Sequence, residues 1–134
     1  MIGLVIVTHG NLAIEFKSAM EHVVGAQEKL ATICIGPEDD MELQLSDIEA
    51  AVNDVNEGDG VIILTDLFGG TPSNLSISLM KPDEIEVIAG INLPMLVKLA
   101  GLRSNSSLAQ AALQAQETGR KYIHVASQVI QSEV

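Results

Sequence analysis

A histidine and an aspartate follow two apolar, β-branched segments at matching positions. His9 follows Ile2–Thr8, and Asp66 follows Gly60–Thr65. An imidazole can act as a base, a metal ligand or a phosphoryl acceptor. An aspartate that accepts the proton of one ring nitrogen fixes the tautomer and leaves the other nitrogen free to attack. The pair predicts a nucleophilic histidine; the alternatives are a histidine that caps the first helix and an aspartate that only forms a turn.

Two glycines and a helix start follow this aspartate. Gly69 and Gly70 precede Thr71 and Pro72, which we interpret as an N-cap and a first helical residue. Free backbone N–H groups at such a helix start form an anion site, with an ordinary tight turn as the alternative. With the N–H groups after the first strand, these residues predict a phosphoryl-binding set of Gly10, Gly69, Gly70 and Thr71.

Other chemistries lack their motifs or their ligands. The glycine loop has no P-loop lysine, no G-x-G-x-x-G follows the first strand, and no G-x-S-x-G is present. Cys34 is the only thiol, so neither a disulfide nor a Cys-rich zinc site is expected. His22 is expected on the solvated flank of the first helix, and His124 is expected to pack inside a strand. We therefore predict no metal and no cofactor.

Strand and helix patterns alternate along the chain. Four β-favouring segments, Ile2–Thr8, Leu30–Ile35, Gly60–Thr65 and Ile85–Ala89, are separated by helical patterns. The first and third are apolar almost throughout, which is typical of strands covered on both faces. We predict an α/β fold: an open, doubly wound, mostly parallel four-stranded sheet with helices on both faces. Its carboxyl ends would bring His9 and Asp66 to one edge.

The later part of the chain carries local helix signals. Asn92 before Leu93-Pro94 predicts the start of a short helix. Ser107 and Gln110 form a capping box for the next helix, and Gly119 is its expected stop. The run Tyr122–Ala126 is expected to form a short final strand.

Composition limits the class of protein. The chain has 134 residues, a formal net charge of −11, 47% hydrophobic residues and 19% charged residues, which is typical of a globular domain. The negative charge argues against nucleic acid and favours docking on basic protein surfaces. A signal peptide and a membrane-spanning segment are both missing from the pattern. We expect a cytoplasmic protein with one domain over residues 1–126 and a tail over 127–134.

Three segments resemble a known family. They are GLVIVTHG at Gly3–Gly10, LTDLFGGTPSN at Leu64–Asn74 and GINLPML at Gly90–Leu96. At this spacing the chain resembles the IIA component of the mannose family of the bacterial phosphoenolpyruvate-dependent sugar phosphotransferase system. The resemblance covers nearly the whole chain.

The resemblance implies roles for the residues already singled out. His9 matches the phosphorylated histidine, with Nε2 as acceptor and Nδ1 held by Asp66, and Gly69, Gly70 and Thr71 match the loop that cradles the phosphoryl group. The implied donor is phospho-HPr and the implied acceptor is a IIB component, with membrane contact only through permease components. The family implies a homodimer, in some members with an exchanged last strand. The sequence alone leaves that exchange open, because pairing with the chain's own sheet edge gives the strand the same hydrogen bonds.

Two other uses of such a domain stay open. A free-standing member can act as a regulatory phosphoprotein whose phosphorylation at His9 controls partner binding. A related domain can pass its phosphoryl group to a dihydroxyacetone kinase. The sequence does not choose between these uses and sugar transport.

Overall fold

The computed structural model describes residues 1–132. The strands are β1 (Gly3–His9), β2 (Leu30–Ile35), β3 (Val61–Thr65) and β4 (Ile85–Ala89). The helices are α1 (Leu12–Val24), α2 (Met41–Val55), α3 (Thr71–Ile77), α4 (Leu93–Leu102), α5 (Leu108–Lys121) and α6 (Ala126–Ser132).

The four strands form one parallel sheet in the order β2-β1-β3-β4. All residues of β3 are buried, as are all residues of β1 except His9. Helices therefore cover both faces, and the predicted doubly wound α/β fold is confirmed. We call the end where the strands finish the carboxyl edge and the opposite end the amino edge.

Alternate residues of the inner strand β1 pack into two separate cores. Leu4 and Ile6 pack with α1, α4 and α5 on one face. Val5 and Val7 pack with α2 on the other face. Each fully buried aliphatic side chain contributes about 1.5–3 kcal/mol relative to exposure. A strand apolar on both faces is therefore needed, and His9 lies at the end of β1, whose other residues are all buried.

The predicted starts of α4 and α5 are confirmed. The Asn92 side chain accepts the Met95 N–H at 3.1 Å and donates to the Gly119 carbonyl at 2.9 Å. Ser107 and Gln110 form the predicted capping box. Such caps satisfy N–H groups that a helix cannot bond internally.

Two predicted helix boundaries are wrong. Thr71 is the first residue of α3 rather than its N-cap, a position that Gly70 takes. Helix α5 continues past Gly119 to Lys121. A Cβ on Gly119 would lie 2.9 Å from the Met95 methyl carbon, so this glycine permits close packing of α5 on α4 instead of ending a helix.

The predicted final strand is also wrong for the single chain. Tyr122 is the C-cap of α5, residues 123–125 have no regular structure, and α6 follows from Ala126. A β-favouring segment becomes a strand only where a sheet edge pairs with it. This segment does not pair with β4. His124 is accordingly exposed instead of packed in a sheet. Its ring is edge-on to that of Tyr122, with the ring centroids 6.0 Å apart.

The segment predicted as a tail is largely helix α6, and residues 133–134 lie outside the described residues. No helix within the described part of the chain is both long and apolar enough to span a bilayer.

A buried arginine at the amino edge forms hydrogen bonds to three other residues. Arg103, which follows α4, is 2% exposed. Its Nε donates to the Ile2 carbonyl at 3.0 Å, its Nη1 to Gln27 Oε1 at 3.1 Å and its Nη2 to the Lys29 carbonyl at 2.7 Å. Burial lowers the pKa of this guanidinium below its ordinary value, while the charge of Glu57 acts in the opposite direction.

Candidate functional site

His9 is the last residue of β1 and the first exposed one. Its side chain is 49% exposed, whereas Thr8 before it is fully buried. The Thr8 hydroxyl accepts the Ala13 N–H at 2.7 Å, which fixes the start of α1 against the strand. Gly10 makes the intervening turn with a φ of +53°, a conformation that suits glycine. The histidine therefore extends from a rigid support into solvent.

Asp66 holds His9 through two hydrogen bonds. Its Oδ2 lies 2.9 Å from His9 Nδ1 and accepts the His9 backbone N–H at 3.1 Å. A carboxylate only accepts, so Nδ1 carries the ring proton in this contact. In the neutral ring, the lone pair then lies on Nε2. The structure thus brings together the two residues that the sequence predicts as partners, because β1 and β3 are neighbours in the sheet.

The other oxygen of this aspartate has no partner among the described residues. Asp66 Oδ1 is buried without a hydrogen bond, as is the hydroxyl of the adjacent Thr65. The Asp66 side chain is 13% exposed overall. A buried and incompletely bonded carboxylate is costly by itself. The attraction between this carboxylate and the neighbouring imidazole is strongest when the imidazole is cationic, because opposite charges interact more strongly where water is excluded.

Gly70 lies directly against the imidazole. A Cβ at this position would lie 2.8 Å from His9 Cε1 and 3.2 Å from Nε2. Gly70 has an ordinary φ of −85°, so its conformation does not require glycine. The requirement is steric: only a residue without a side chain lets the first turn of α3 approach Nε2.

The four residues predicted to bind a phosphoryl group differ in what they can offer. The Gly10 N–H already donates to the Ile35 carbonyl at 2.9 Å, and the Gly69 N–H donates to Ser73 Oγ at 3.1 Å. Gly70 is the N-cap of α3 and Thr71 is its first residue, where N–H groups have no intrahelical acceptor. The latter two are therefore the members of the predicted set best placed to donate near Nε2.

A cleft of about 200 Å³ opens beside His9 and Thr71. Two of its polar residues, Asp39 and Gln44, were missed by the sequence analysis. Asp39 Oδ2 accepts the Gly36 N–H at 2.7 Å and Gln44 Nε2–H at 2.8 Å, which fixes this wall. The available signal was their place after β2, since its carboxyl end lies at the same edge as that of β1.

The remaining candidate ligands lie apart from this site. His22 is exposed on α1, as predicted, and Cys34 is a partly buried free thiol in β2. Within residues 1–132, no group of three or more His, Cys, Asp or Glu side chains could hold a metal ion. The chemistry that this geometry can support is attack by a neutral, tautomer-fixed imidazole at Nε2.

The fold and site together define a small α/β protein with an aspartate-oriented histidine at the carboxyl edge of a parallel sheet. The family model described as "PTS system fructose IIA component" matches residues 3–116. The chain belongs to this IIA family of the sugar phosphotransferase system (PTS). Its members are phosphotransferase components with a phosphocarrier role.

Curated relatives agree with this assignment. The chain is 34% identical over 122 residues to the mannose-specific EIIAB component of Escherichia coli, covering 90% of this chain and 38% of that protein. It is 32% identical over 108 residues to the sorbose-specific EIIA component of Lacticaseibacillus casei, covering 80% and 78%. It is 29% identical over 109 residues to the fructose-specific EIIA component of Bacillus subtilis, covering 81% and 75%.

Solved structures show the same fold. The EIIA component from Streptococcus agalactiae superposes with a TM-score of 0.86 at 26% identity, covering 96% of this chain and 99% of that one. The mannose/sorbose-specific IIA subunit from Enterococcus faecalis superposes with a TM-score of 0.81 at 24% identity, covering 92% and 93%.

Proposed function

We propose that this protein is a cytoplasmic phosphocarrier that accepts a phosphoryl group from phospho-HPr on His9 and passes it to a IIB component. The observation that supports this most is the 2.9 Å contact between His9 Nδ1 and Asp66 Oδ2. In the neutral ring this contact places the proton on Nδ1 and the lone pair on Nε2 of an exposed side chain, which is the form that a phosphoryl acceptor needs.

The bonds that form and break in the proposed transfer involve only the phosphoryl group and the two histidines, His9 and that of the donor. The Nε2 lone pair of His9 attacks the phosphorus of the donor's phosphohistidine, and a new P–N bond forms. The donor's P–N bond breaks, and its electron pair returns to the donor ring. His9 then has both nitrogens substituted and carries a positive charge, with the Nδ1 proton still directed at Asp66. Transfer to the IIB component repeats these steps with His9 as the donor.

Backbone groups would hold the transferred phosphoryl group. Gly70 and Thr71, the N-cap and first residue of α3, lie beside Nε2, where the positive end of the helix dipole favours an anion. Gly10 and Gly69 would shape the two loops through their positive φ angles. Phosphoryl transfer depends mainly on such positioning and charge stabilisation.

The test is labelling with phosphoenolpyruvate, the first enzyme of the system and HPr. We expect an acid-labile, alkali-stable phosphate that is absent in His9→Ala. His22→Ala and His124→Ala are matched controls, because both replace an exposed histidine elsewhere. Label that persists in His9→Ala, or that disappears in a control variant instead, would refute the assignment of the acceptor.

We also propose that the protein is a homodimer assembled through its C-terminal segment. Ile123, Val125 and Ile130 are 61–72% exposed in the single chain. Ile123 lines an open cleft of about 740 Å³ between the free edge of β4 and α5. Sheet edges are usually covered or paired. Light scattering should give a dimer for the full chain and a monomer or aggregate after truncation following Lys121. A monomeric full chain at micromolar concentration would contradict the dimer, and a truncated dimer would exclude this segment as its cause.

A further inference from the structure

An open apolar groove runs along the outer side of α4, between α1 and α5. We call it the α4 groove. Its volume is about 380 Å³, and its walls include Val23 from α1, Leu93, Pro94 and Val97 from α4, and Tyr122 at the end of α5. Val23 and Tyr122 are 55% and 52% exposed. The groove shares no residue with the cleft beside His9, which lies on the α2 and α3 side of the sheet. It is therefore a second apolar surface, which the proposed phosphoryl transfer does not use.

Charge divides the chain into two unlike parts. Residues 1–86 carry 16 of the 18 acidic residues and 3 of the 7 basic ones, whereas residues 87–132 carry one acid, Glu117, and four basic residues. Helices α4, α5 and α6 all lie in the second part. An acidic partner is thus repelled by the first part of the chain and attracted towards these helices.

Two of the basic residues of the second part lie at the α4 groove. Lys98 is exposed and lines it. Lys121 places its Nζ 5.6 Å from the centre of the Tyr122 ring, which forms one wall. The acidic residues on the neighbouring helices, Glu21 of α1 and Glu117 of α5, do not line the groove. An apolar floor bordered by lysines is complementary to a ligand that combines apolar and acidic side chains.

We propose that the α4 groove binds an acidic amphipathic helix of another protein. The apolar face of that helix fills the groove, and its carboxylates face Lys98 and Lys121. Hydrophobic grooves commonly receive the apolar face of such a helix, whereas an anionic bilayer takes up a protruding apolar face rather than a concave one. This inference does not depend on phosphoryl transfer at His9, so either proposal can fail without the other.

The first experiment measures binding of a defined probe to the full chain. The probe is a synthetic helical peptide of about 16 residues, or roughly four turns, with leucines along one face, glutamates along the other and a fluorophore at one end. Fluorescence anisotropy should give a Kd of about 10–100 µM at low salt, as expected for a small and transient interface. No binding at about 1 mM protein would overturn the proposal.

A pair of apolar variants tests where the peptide binds. Val23→Gln should weaken binding about fivefold to tenfold, because it places a polar side chain in the groove. Ile14→Gln is the matched control: Ile14 is 53% exposed and lies nine residues earlier on α1, which places it on the opposite side of that helix. Both variants should unfold in urea like the wild type. Equal binding by the two variants would contradict the α4 groove as the site.

A second pair of variants tests the charge. Lys98→Gln should weaken binding about threefold and reduce its dependence on salt. Lys81→Gln removes the same charge from an exposed residue that precedes β4 at the amino edge, outside the groove, and should change neither. A peptide with lysines in place of the glutamates is the reverse-charge probe. If Val23→Gln weakens its binding as much as that of the acidic peptide, the predicted preference for an acidic partner is wrong.

Two other occupants of the groove are tested with the same apolar variant. Binding of the wild type to phosphatidylglycerol vesicles that is lost in Val23→Gln would assign the α4 groove to a membrane surface and overturn the proposal. A change of oligomeric state in Val23→Gln, measured by light scattering, would assign it to a second copy of the chain and overturn it as well. We expect no vesicle binding through the groove and the same oligomeric state in the variant as in the wild type.

Discussion

The two edges of the sheet use polar groups in opposite ways. At the amino edge, the guanidinium of Arg103 is buried and makes three hydrogen bonds to fixed oxygens. At the carboxyl edge, the His9 ring is half exposed and one oxygen of Asp66 is buried without a partner among the described residues. A group whose nitrogens each have an acceptor stabilises one arrangement, whereas a group with an unbonded oxygen can form a further favourable interaction in a second state of the site. We therefore expect the amino edge to contribute stability and the carboxyl edge to carry the chemistry.

The strongest test of this contrast is Asp66→Asn. The amide can still contact the ring, but it lacks the charge that would balance a cationic phosphohistidine, and it can select the wrong tautomer. We expect the phosphorylation rate to fall about 10²–10³-fold, less than the ~10⁴ seen when a protease triad loses its aspartate. Quenched time courses of phosphorylation by phospho-HPr measure this rate.

The same variant should fold normally. Removing a buried charge with an unpartnered oxygen should leave the free energy of unfolding equal to or above that of the wild type. Urea unfolding provides the control. A wild-type phosphorylation rate would show that Asp66 acts only in the turn.

The reverse test is Arg103→Met at the amino edge. Methionine keeps much of the apolar volume but leaves the Ile2 and Lys29 carbonyls without their donor. We expect a loss of about 3 kcal/mol in the free energy of unfolding, as for other broken buried networks of charged groups. Urea unfolding measures the loss, and Lys98→Met, at an exposed position of α4, is the matched control.

Phosphoramidate is a small-molecule phosphoryl donor. It should label the folded Arg103→Met protein at a rate within about twofold of the wild-type rate, because the contacts of the His9 ring are untouched. A large loss of labelling in the folded variant would show that the two edges are coupled, and the contrast between them would fail.

The smallest expected effect is that of Gly70→Ala, which tests how closely α3 must approach His9. The new methyl group would lie 2.8 Å from Cε1, so the ring must shift or Nε2 becomes shielded. We expect labelling by phosphoramidate to slow about tenfold, which corresponds to about 1.4 kcal/mol. Gly101→Ala is the control, because a methyl group there meets nothing within 4 Å. Equal labelling rates in the two variants would remove the steric role of Gly70.

Much of the fold could be predicted because its signals are local. The bounds of β2 and β4 agree with the predicted segments Leu30–Ile35 and Ile85–Ala89. The caps at Asn92 and Ser107 depend on side chains that bond N–H groups three residues away. The meeting of His9 and Asp66 could be predicted as well, because parallel strands carry their carboxyl ends to one edge whatever their exact packing.

Other features depend on residues that are distant in the chain. Arg103 bonds Ile2, 101 residues earlier, and no local pattern marks an arginine as a buried anchor. Gly119 was predicted to end a helix, yet it lies within α5 where that helix crosses Met95. In both cases the sequence shows the residue type, and its role is set by the distant group that it contacts.

The sequence by itself determined the four strands of the sheet, the caps that begin α4 and α5 and the identity of the candidate nucleophile, because periodicity, capping and the topology of a parallel sheet follow from local composition and order. Only the tertiary structure decided that Gly70 contacts the His9 ring, that Asp66 Oδ1 is buried without a bond, and that Tyr122–Ala126 is not a strand in the single chain. These features depend on which surfaces meet and which hydrogen-bonding groups find partners. The composition of a segment does not specify the distant residues that it contacts.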